Sequence, residues 1–367
     1  MLSGFTVGIT ADRRWEEQAT LFERRGATVM HAPTIRTLPM GSDARLRAAI
    51  DAVVRDPPAS VVANTGVGIR SWFSAAETWG LGDELLTALA TARIYARGPK
   101  AAGAVHSAGL RVESKAPTER LSEAVDLLLA DLHQGDVVAF QIDGSGHTPE
   151  IERLRAAGVT VVPVPVYEWT LPDDVRPAVR LAEAVIAGRV HAVTFTAGPS
   201  VRNLFSIVRE HDLDDALRAT LNSGEIVVGC VGPVCADVAV AEGLDPATFA
   251  VPATFRLGPL VRAVATQLAE RALTLDVGGT SIEIAGCRLT IGEDTQLLSA
   301  TEARLLSTLA TRANVVLSKR ELASAVWRDP ALDPHAVEMA VTRLRRRMGP
   351  LGAAIAVVHR RGYALRT

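Results

Sequence analysis

Four arginines cluster near the C-terminus, in the stretch DPHAVEMAVTRLRRRMG that runs from residue 333 to residue 349. Arg343, Arg345, Arg346 and Arg347 fall within five consecutive residues. A guanidinium group is permanently charged and carries a planar fork of donors, which suits bidentate contacts to phosphate oxygens and to the edge of guanine. These residue types at this spacing indicate a surface that binds a polyanion.

The charge along the chain is uneven. The whole chain of 367 residues has a formal net charge of −2. Residues 275–367 hold 13 Lys/Arg against 9 Asp/Glu, a net charge of +4, whereas residues 1–274 hold 26 against 32, a net charge of −6. A basic tail on an acidic body predicts an anionic partner for the tail.

Three helices are predicted around the arginines because their N-terminal signals are explicit. The segments SATE (299–302) and SKRE (318–321) are capping boxes, and Asp333 with Pro334 provides a cap and a first helical position. In the third helix the apolar residues are spaced by four, three and four positions, so one face is predicted to be core and the arginines to lie elsewhere. The apolar residues are Val337, Val341, Leu344 and Met348.

Short strands flank these helices. The segments SIEIAG and CRLTIG alternate like a half-buried hairpin, and IAVVHRRGYALR (355–366) predicts a second hairpin with Arg360, Arg361 and Gly362 at or near its tip. Residues 273–281, with their pair of glycines, are expected to form a joint to the body of the protein.

This arrangement resembles the OmpR/PhoB-type winged helix. The resemblance is carried by Leu298 to Glu302, Val316 to Leu322, Trp327, Val337 to Arg346 and the Arg361-Gly362-Tyr363 triplet. It implies a third helix in the major groove of double-stranded DNA and a hairpin that reaches the minor groove or the backbone. The implied DNA contacts are Lys319, Arg320, Thr342, Arg343, Arg345, Arg346, Arg360 and Arg361. The alternative, a solvated basic helix face, is disfavoured by the helix–turn–helix context.

The first 256 residues contain an internal repeat. Gly26 and Gly158, Pro33 and Pro165, and Phe73 and Phe205 are matching pairs, each separated by 132 residues. Each unit alternates a short β-branched apolar run with an amphipathic helix, which predicts buried parallel strands in two doubly wound α/β lobes.

Ligands of such sheets bind at the carboxyl ends of the strands. The loops predicted there are rich in Gly, Ser and Thr and open onto helix N-termini, whose backbone N–H groups favour anions. The candidate cleft residues are Thr10, Arg13, Arg14, Asn64, Thr65, Gly66, Arg97, Lys100, Asp143, Gly144, Thr196, Ala197 and Gly232. For any single residue an ordinary turn with a solvated charge is an equal alternative. None of the loops matches a phosphate-loop or dinucleotide fingerprint.

The order of these segments resembles uroporphyrinogen-III synthase, a family of two α/β lobes joined by a two-stranded crossover. The segments PTIRTLP (33–39) and PVYEWTLP (165–172) match the crossover strands. The resemblance implies a bilobed domain over residues 1–268, followed by a linker at 269–280 and the winged helix at 281–367. Within it, lobe one is expected over 1–37 and 170–256, and lobe two over 38–169.

The synthase resemblance also implies a chemistry. Those enzymes close hydroxymethylbilane, a linear tetrapyrrole with eight carboxylates, and need no cofactor. Tyr167 matches the family's catalytic candidate, which is proposed to help the hydroxyl group leave. A tyrosine packed at a lobe interface is the alternative interpretation. Gly232-Pro233-Val234-Cys235 stands where many synthases carry Gly-x-x-Thr, so hydroxyl groups are lost and catalysis is disfavoured relative to binding.

Cys230, Cys235 and Cys287 are too few for a disulfide framework. Cys230 and Cys235 lack the spacing and His partners of a zinc site, so we expect buried thiols and no metal. No apolar run approaches the roughly 20 residues that span a bilayer, and the N-terminus lacks a signal peptide, so a cytoplasmic protein without membrane contact is expected.

Three functions remain open from the sequence. The first is a transcriptional regulator whose synthase-like body senses a tetrapyrrole-like or other anionic ligand, or dimerises. It resembles fused regulators of nitrite and nitrate assimilation, and nitrite reductase needs sirohaem, which derives from uroporphyrinogen III. The second is an active uroporphyrinogen-III synthase that also binds DNA, and the third is a DNA-binding protein whose body only contacts other proteins. Pairing as a homodimer on DNA is implied by the winged-helix resemblance alone.

Overall fold

The structure is a computed structural model that describes residues 1–41, 43–142 and 149–367. The chain divides into two compact units, residues 1–35 with 171–367 and residues 36–170. The first unit contains lobe one and the C-terminal domain, and the second unit is lobe two. Strands and helices are numbered along the chain.

Lobe one is a five-stranded parallel sheet with helices on its faces. In space its strands follow the order β12-β11-β10-β1-β2. The strands are β1 (Thr6–Ile9), β2 (Thr28–His31), β10 (Ala192–Phe195), β11 (Val227–Cys230) and β12 (Phe249–Ala250). The helices are α1 (Trp15–Glu23), α8 (Arg176–Ile186), α9 (Gly198–Arg209), α10 (Asp214–Leu221), α11 (Pro233–Ala241) and α12 (Leu257–Ala269), with a 3-10 turn at Pro246–Thr248.

Lobe two has the same architecture. Its parallel strands follow the order β6-β5-β4-β7-β8. The strands are β4 (Ser60–Ala63), β5 (Arg93–Ala96), β6 (Ser114–Lys115), β7 (Val137–Ile142) and β8 (Thr160–Pro165). The helices are α2 (Ala44–Arg55), α3 (Gly66–Thr78), α4 (Gly82–Ala90), α5 (Pro99–Ser107), α6 (Leu121–Leu129) and α7 (Pro149–Ala156).

The internal repeat of the sequence reappears in the topology. Position by position, the sheet of lobe one matches that of lobe two, with β1 in the place of β7 and β10 in the place of β4. In both lobes the fifth strand follows the fourth along the chain, after one helix. The α/β fold class predicted from short β-branched runs is therefore confirmed.

The predicted crossover strands also pair. β3 (Arg36–Pro39) runs antiparallel to β9 (Tyr167–Thr170), with Thr37 opposite Trp169. β3 ends at Pro39, and Pro172 lies two residues after the end of β9. Proline disfavours the helical conformation of the residue before it, which is Leu38 in β3 and Leu171 after β9. This ribbon belongs to lobe two and places Tyr167 at a defined position beside that lobe's sheet.

The C-terminal domain starts earlier than the sequence indicated. It opens with a four-stranded antiparallel sheet in which β13 pairs with β14. β13 occupies most of the expected linker because Leu273, Leu275 and Val277 alternate inward, as a half-buried strand requires. Gly278 and Gly279 form the β13–β14 turn with positive φ and not a flexible joint. The sheet strands are β13 (Leu273–Val277), β14 (Thr280–Ala285), β15 (Arg288–Ile291) and β16 (Asp294–Leu297).

Three helices and a hairpin follow this sheet. The helices are α13 (Ala300–Thr311), α14 (Lys319–Trp327) and α15 (Pro334–Arg347), and a 3-10 turn (Gly349–Ala354) leads to the hairpin strands β17 (Ile355–Val358) and β18 (Gly362–Leu365). Both predicted capping boxes are formed, at Ser299 and Ser318, and the Asp333 side chain accepts a hydrogen bond from the backbone N–H of His335. The predicted helix starts are therefore confirmed.

The apolar stripe of α15 is core. Val337, Val341, Leu344 and Met348 are at most 1 % exposed and pack in one cluster with residues of α13, α14 and the hairpin. Each such burial contributes roughly 1.5–3 kcal/mol. This packing fixes the rotation of α15 about its axis and so decides which of its residues face solvent. Across the described residues, no helix is long and apolar enough to cross a bilayer.

A half-buried histidine ties the start of β1 to the start of β10 and makes lobe one sensitive to acid. The backbone N–H of Thr6 donates to Nδ1 of His191 at 3.0 Å, and burial lowers the pKa of His191 to about 4. An unfolded histidine has a pKa near 6.5, so below that pH the unfolded state binds a proton that the folded state does not.

We expect this difference to cost the folded protein about 2 kcal/mol at pH 5 relative to pH 7.5. The stability contribution is complete above pH 6.5 and is lost as the pH falls toward 4. Urea unfolding of the wild type and of His191→Asn at both pH values measures it. If His191→Asn shows the same decrease in the free energy of unfolding between pH 7.5 and pH 5 as the wild type, the acid sensitivity belongs to other groups.

Candidate nucleic-acid interface and anion-binding loops

The solvent-facing side of α15 carries most of its charge. Arg343, Arg346 and Arg347 are exposed, while Leu344 between them is fully buried. Positions three and four apart share one face of a helix, so these guanidinium groups form one cationic surface. Together with Gln296 and Glu302 they line a concave region of about 450 Å³ at the C-terminal end of α15. We call the exposed side of α15 the basic face.

Arg345 is placed differently from its neighbours. It is half-buried, and its Nε donates to the backbone carbonyl of Ile355 at 3.0 Å, with Nη2 on the same oxygen. Its guanidinium also lies 6.0 Å from the ring centroid of Tyr363. Arg345 therefore joins α15 to both strands of the hairpin.

The hairpin tip is cationic. His359, Arg360 and Arg361 are exposed between β17 and β18, and Arg360 adopts the left-handed conformation with φ 58°. The turn is closed by a hydrogen bond from the backbone N–H of Arg361 to the carbonyl of Val358 at 2.9 Å. The backbone thus projects two guanidinium groups from one tight turn.

The start of α14 provides further predicted contacts. Arg320 is exposed, whereas the ammonium of Lys319 forms an ion pair with Glu338 of α15. Thr342, also exposed, donates its hydroxyl to the backbone carbonyl of Glu338 at 2.9 Å. Lys319 therefore connects the first turn of α14 to α15, and its partner Glu338 has a lowered pKa because Lys319 and His335 donate to it.

The sequence prediction missed two residues of the basic face. Met339 and His335 are exposed one and two turns, respectively, before Thr342 and Arg343, on the same side of the helix. A large apolar side chain that is 44 % exposed, as Met339 is, suits contact with a thymine methyl group. The signal was present in the 3.6-residue period, because both positions lie opposite the buried stripe.

In lobe two, the predicted loop residues meet at the carboxyl end of β4. Thr65 caps α3 by accepting from the backbone N–H of Gly68 at 3.1 Å, and its own backbone N–H donates to Gln141 Oε1 at 2.7 Å. The hydroxyl of Tyr167 lies 3.3 Å from the Thr65 hydroxyl. Tyr167 is only 4 % exposed, so its polar atom is held at the N-terminus of α3. Gln141, fully buried at the end of β7, organises this loop and was not predicted.

Asn64 and Arg97 connect two neighbouring strand ends of lobe two. Arg97 Nη1 donates to Asn64 Oδ1 at 2.9 Å, while Asn64 Nδ2 is buried without a hydrogen-bond partner among the described residues. A Cβ atom at Gly66 would lie 2.2 Å from the backbone carbonyl oxygen of Lys100, so only glycine permits this approach of the starts of α3 and α5. Lys100 is exposed in the first turn of α5.

Lobe one holds a corresponding network. Thr10, fully buried after β1, donates its hydroxyl to the carbonyl of Thr194 at 2.8 Å. Gln18 of α1 donates from Nε2 to the Thr194 hydroxyl at 2.9 Å, and its Oε1 is buried without a partner within the described ranges. Thr10 thus binds β1 to β10 and is not open to solvent.

The remaining candidate residues of lobe one differ in exposure. Arg13 and Arg14 are exposed, and Arg14 pairs with Glu17 at 2.8 Å. Thr196 and Ala197 are half-buried before α9, and Gly232 is buried at the N-cap of α11. The candidates Asp143 and Gly144 lie outside the described residues.

The cysteines of lobe one are buried thiols, as expected. Cys230 and Cys235 are at most 3 % exposed, and hydrogen bonding between them raises the pKa of Cys235. In the part of the chain that the structure describes, no group of His, Cys, Asp and Glu is arranged to hold a metal ion.

Two α/β lobes with a connecting ribbon, followed by a winged helix with a basic third helix, define a class: a synthase-like body carrying a DNA-binding domain. Comparison with known proteins agrees. Residues 16–261 match the family of uroporphyrinogen-III synthase HemD, and residues 293–365 match the C-terminal domain of transcriptional regulatory proteins. The chain belongs to the HemD family, and its C-terminal domain makes it a transcriptional regulator with a synthase-like domain.

Three similar proteins illustrate the two parts. A mutant uroporphyrinogen III synthase from the extremely thermophilic bacterium Thermus thermophilus is 31 % identical with a TM-score of 0.59, over 72 % of this chain and 99 % of that one. The Bacillus subtilis protein YjjA is 24 % identical over 270 residues, 74 % of this chain and 98 % of its own length. The DNA-binding domain of CpxR from Escherichia coli is 25 % identical with a TM-score of 0.23, over 26 % of this chain and 97 % of that domain.

Proposed function

We propose that this regulator reads duplex DNA with the basic face of α15, while the β17–β18 hairpin contacts the backbone or the minor groove. The observation that carries the proposal is the burial pattern of α15. One stripe is core, and the opposite side presents Arg343 and Arg346 to solvent with Thr342 and Met339 beside them. Such a helix offers donors for guanine and phosphate together with an apolar contact.

The other predicted DNA contacts divide by their placement. Arg320, Arg360 and Arg361 are exposed and suit phosphate contacts. Lys319 and Arg345 already hold parts of the domain together through Glu338 and Ile355. We assign these two residues a positioning role in the interface, in which they orient the basic face.

The synthase-like body is proposed to sense an anionic, tetrapyrrole-like ligand. In lobe two, the N-termini of α3 and α5 open at adjacent strand ends, and Asn64 Nδ2 is a buried donor without a partner in the described part of the chain. An unsatisfied buried donor costs about 1–3 kcal/mol, which a ligand carboxylate would offset. Arg97, hydrogen-bonded to Asn64, adds a positive charge at the same place.

Control of nitrite and nitrate assimilation is the proposed physiological setting, because sirohaem of nitrite reductase derives from the product of the synthase family. The body is also a candidate for dimerisation, with two copies on tandem half-sites. These assignments rest on resemblance and on the chemistry of the ligand class.

The proposal is tested with the full chain and a duplex selected from a random pool. We expect specific binding at physiological salt with a dissociation constant of about 10⁻⁸ M or tighter and a steep decrease in affinity with added salt. Uroporphyrin III, added as a probe, is expected to change that affinity in the wild type and not in Arg97→Gln. A chain that selects no sequence at low salt would overturn the DNA-reading function.

Synthase activity is the second candidate, favoured by the Tyr167 hydroxyl at the N-terminus of α3 and by the family match. An assay with hydroxymethylbilane tests it directly. Turnover by the wild type that falls at least tenfold in Tyr167→Phe would establish an enzyme. Turnover that is absent in the wild type leaves the body as a binding module.

A further inference from the structure

The C-terminal domain packs against lobe one around a second concave site. The backbone N–H of Cys287 donates to the carbonyl of Gly4 at 2.8 Å, and Arg328 Nη2 donates to Glu225 at 3.0 Å while its Nη1 contacts Thr220. Between these two contacts lies a cavity of about 560 Å³, lined by residues of both domains. Small-molecule sites have volumes of about 300–1,000 Å³.

The polar lining of this cavity carries more positive than negative charge. Arg271 comes from lobe one, and Arg304 and Arg312 come from α13 and the residue after it, whereas Glu225 is the acidic residue that lines it. Glu225 is shared, because Arg304 Nε lies 3.9 Å and Arg328 Nη2 lies 3.0 Å from its carboxylate. One carboxylate therefore faces several guanidinium groups, which leaves a net positive charge for an anion.

Burial makes the positive charge of these guanidinium groups energetically costly unless an anion binds beside them. The side chain of Arg304 is only 17 % exposed, and it reaches across to Gly188 of lobe one, where a Cβ atom would lie 1.6 Å from its Nη2. Burial lowers the pKa of both Arg304 and Arg271, which means that their charged forms are incompletely solvated. Each donates one hydrogen bond to a backbone carbonyl, Arg304 to Val326 and Arg271 to Glu225. Both guanidinium groups retain further N–H donors.

Another part of the lining is apolar, alongside the polar side chains of His191, Ser307, Thr308 and Thr311. Val190, Ile226 and Leu268 of lobe one and Ile284 of β14 contribute to this part of the lining. Charged and apolar side chains that line one cavity suit an organic anion with a hydrocarbon skeleton. Inorganic phosphate matches the arginines but leaves the apolar wall without a partner.

We propose that this cavity binds an organic di- or tricarboxylate whose carboxylates contact Arg304 and Arg271 and whose skeleton packs on Ile226 and Leu268. The ligand is distinct from the one proposed for the strand-end loops of the lobes. Because both domains line the site, a bound ligand stabilises the contact between them. If DNA binding changes that contact, ligand affinity and DNA affinity are thermodynamically linked. The effect on DNA rests on the proposed function, whereas binding itself does not.

Calorimetric titration of the full chain without DNA tests the site, with citrate, succinate and inorganic phosphate as probes. We expect citrate to bind at micromolar to low millimolar concentration, and its affinity to fall at least tenfold in Arg304→Gln and in Arg271→Gln. Ala325→Trp places a bulky ring in the lining without removing a charge and is expected to have the same effect. Arg180→Gln, an exposed arginine on α8, is the control and is expected to bind citrate normally.

Cys287 supplies an independent readout. It lines the cavity and is half-buried, whereas Cys230 and Cys235 are buried, so a thiol reagent is expected to modify Cys287 first. Saturating citrate should slow that modification at least fivefold in the wild type and not in Arg304→Gln. No binding of citrate or succinate at 10 mM, or unchanged Cys287 modification, would overturn the site even if DNA binding is intact. Preferred binding of phosphate over citrate would reject the carboxylate class.

Discussion

Replacing Arg343 by alanine is expected to weaken specific DNA binding by about 1–3 kcal/mol, a factor of roughly 5 to 150. The arginine is exposed on α15 one residue before buried Leu344, so its Cα position is fixed by the core and its side chain extends from the basic face. A guanidinium that reads a guanine edge loses two hydrogen bonds when it is truncated, and nothing in an alanine replaces them. Competition binding at fixed salt, with specific and scrambled duplexes, measures the change.

The scrambled duplex separates base reading from charge. Arg343→Ala is expected to lose more affinity for the specific duplex than for the scrambled one. Arg360→Ala at the hairpin tip should weaken both equally and lower the slope of log affinity against log salt by about one. Arg180→Ala on α8 of lobe one removes the same charge from an exposed position and should leave both affinities unchanged. Equal losses for Arg343→Ala on both duplexes would remove Arg343 from base recognition.

Local signals were sufficient to predict α15. Its cap, its first proline and its apolar stripe are consecutive in the chain, and the stripe determines which residues are exposed. The contacts of Arg345 could not be predicted from local sequence signals. Its contact with Ile355 depends on how the hairpin returns to the helix, and the spacing of arginines carries no information about that return.

The body of the protein shows the same limit. The repeat predicted two doubly wound α/β lobes, because short apolar runs and amphipathic helices alternate regularly along the chain, and the order of the strands within each sheet comes from the structure. Gln141 was missed because one polar residue in an apolar strand does not reveal which loop it will contact 76 residues away. The contact between Glu225 and Arg328, 103 residues apart, could not be predicted either, since it depends on how a whole domain packs.

Gly362 is the position at which a single methyl group is expected to do most damage to the C-terminal domain. Its φ is +135°, and a Cβ atom there would lie 1.9 Å from the backbone carbonyl oxygen of Leu317 and 2.8 Å from Cα of Ser318. Leu317 and Tyr363 exchange backbone hydrogen bonds at 2.8 and 2.9 Å, so this carbonyl cannot move without breaking the bridge. Ser318, the next residue, caps α14.

We therefore expect Gly362→Ala to lower the free energy of unfolding of the C-terminal domain by about 3 kcal/mol or more, through backbone strain and a lost bridge. Gly279→Ala is the matched control, because that glycine also has a positive φ, +80°, but open space where the Cβ would stand. Left-handed backbone alone costs an alanine about 1–2 kcal/mol. Urea unfolding of both variants separates the two costs, because the difference between their free energies of unfolding measures the clash beyond the cost of the left-handed backbone. The hairpin holds Arg345 as well as Arg360 and Arg361, so we expect Gly362→Ala, and not Gly279→Ala, to lose DNA affinity as well. Equal destabilisation of the two variants would refute the clash with Leu317 as the cause.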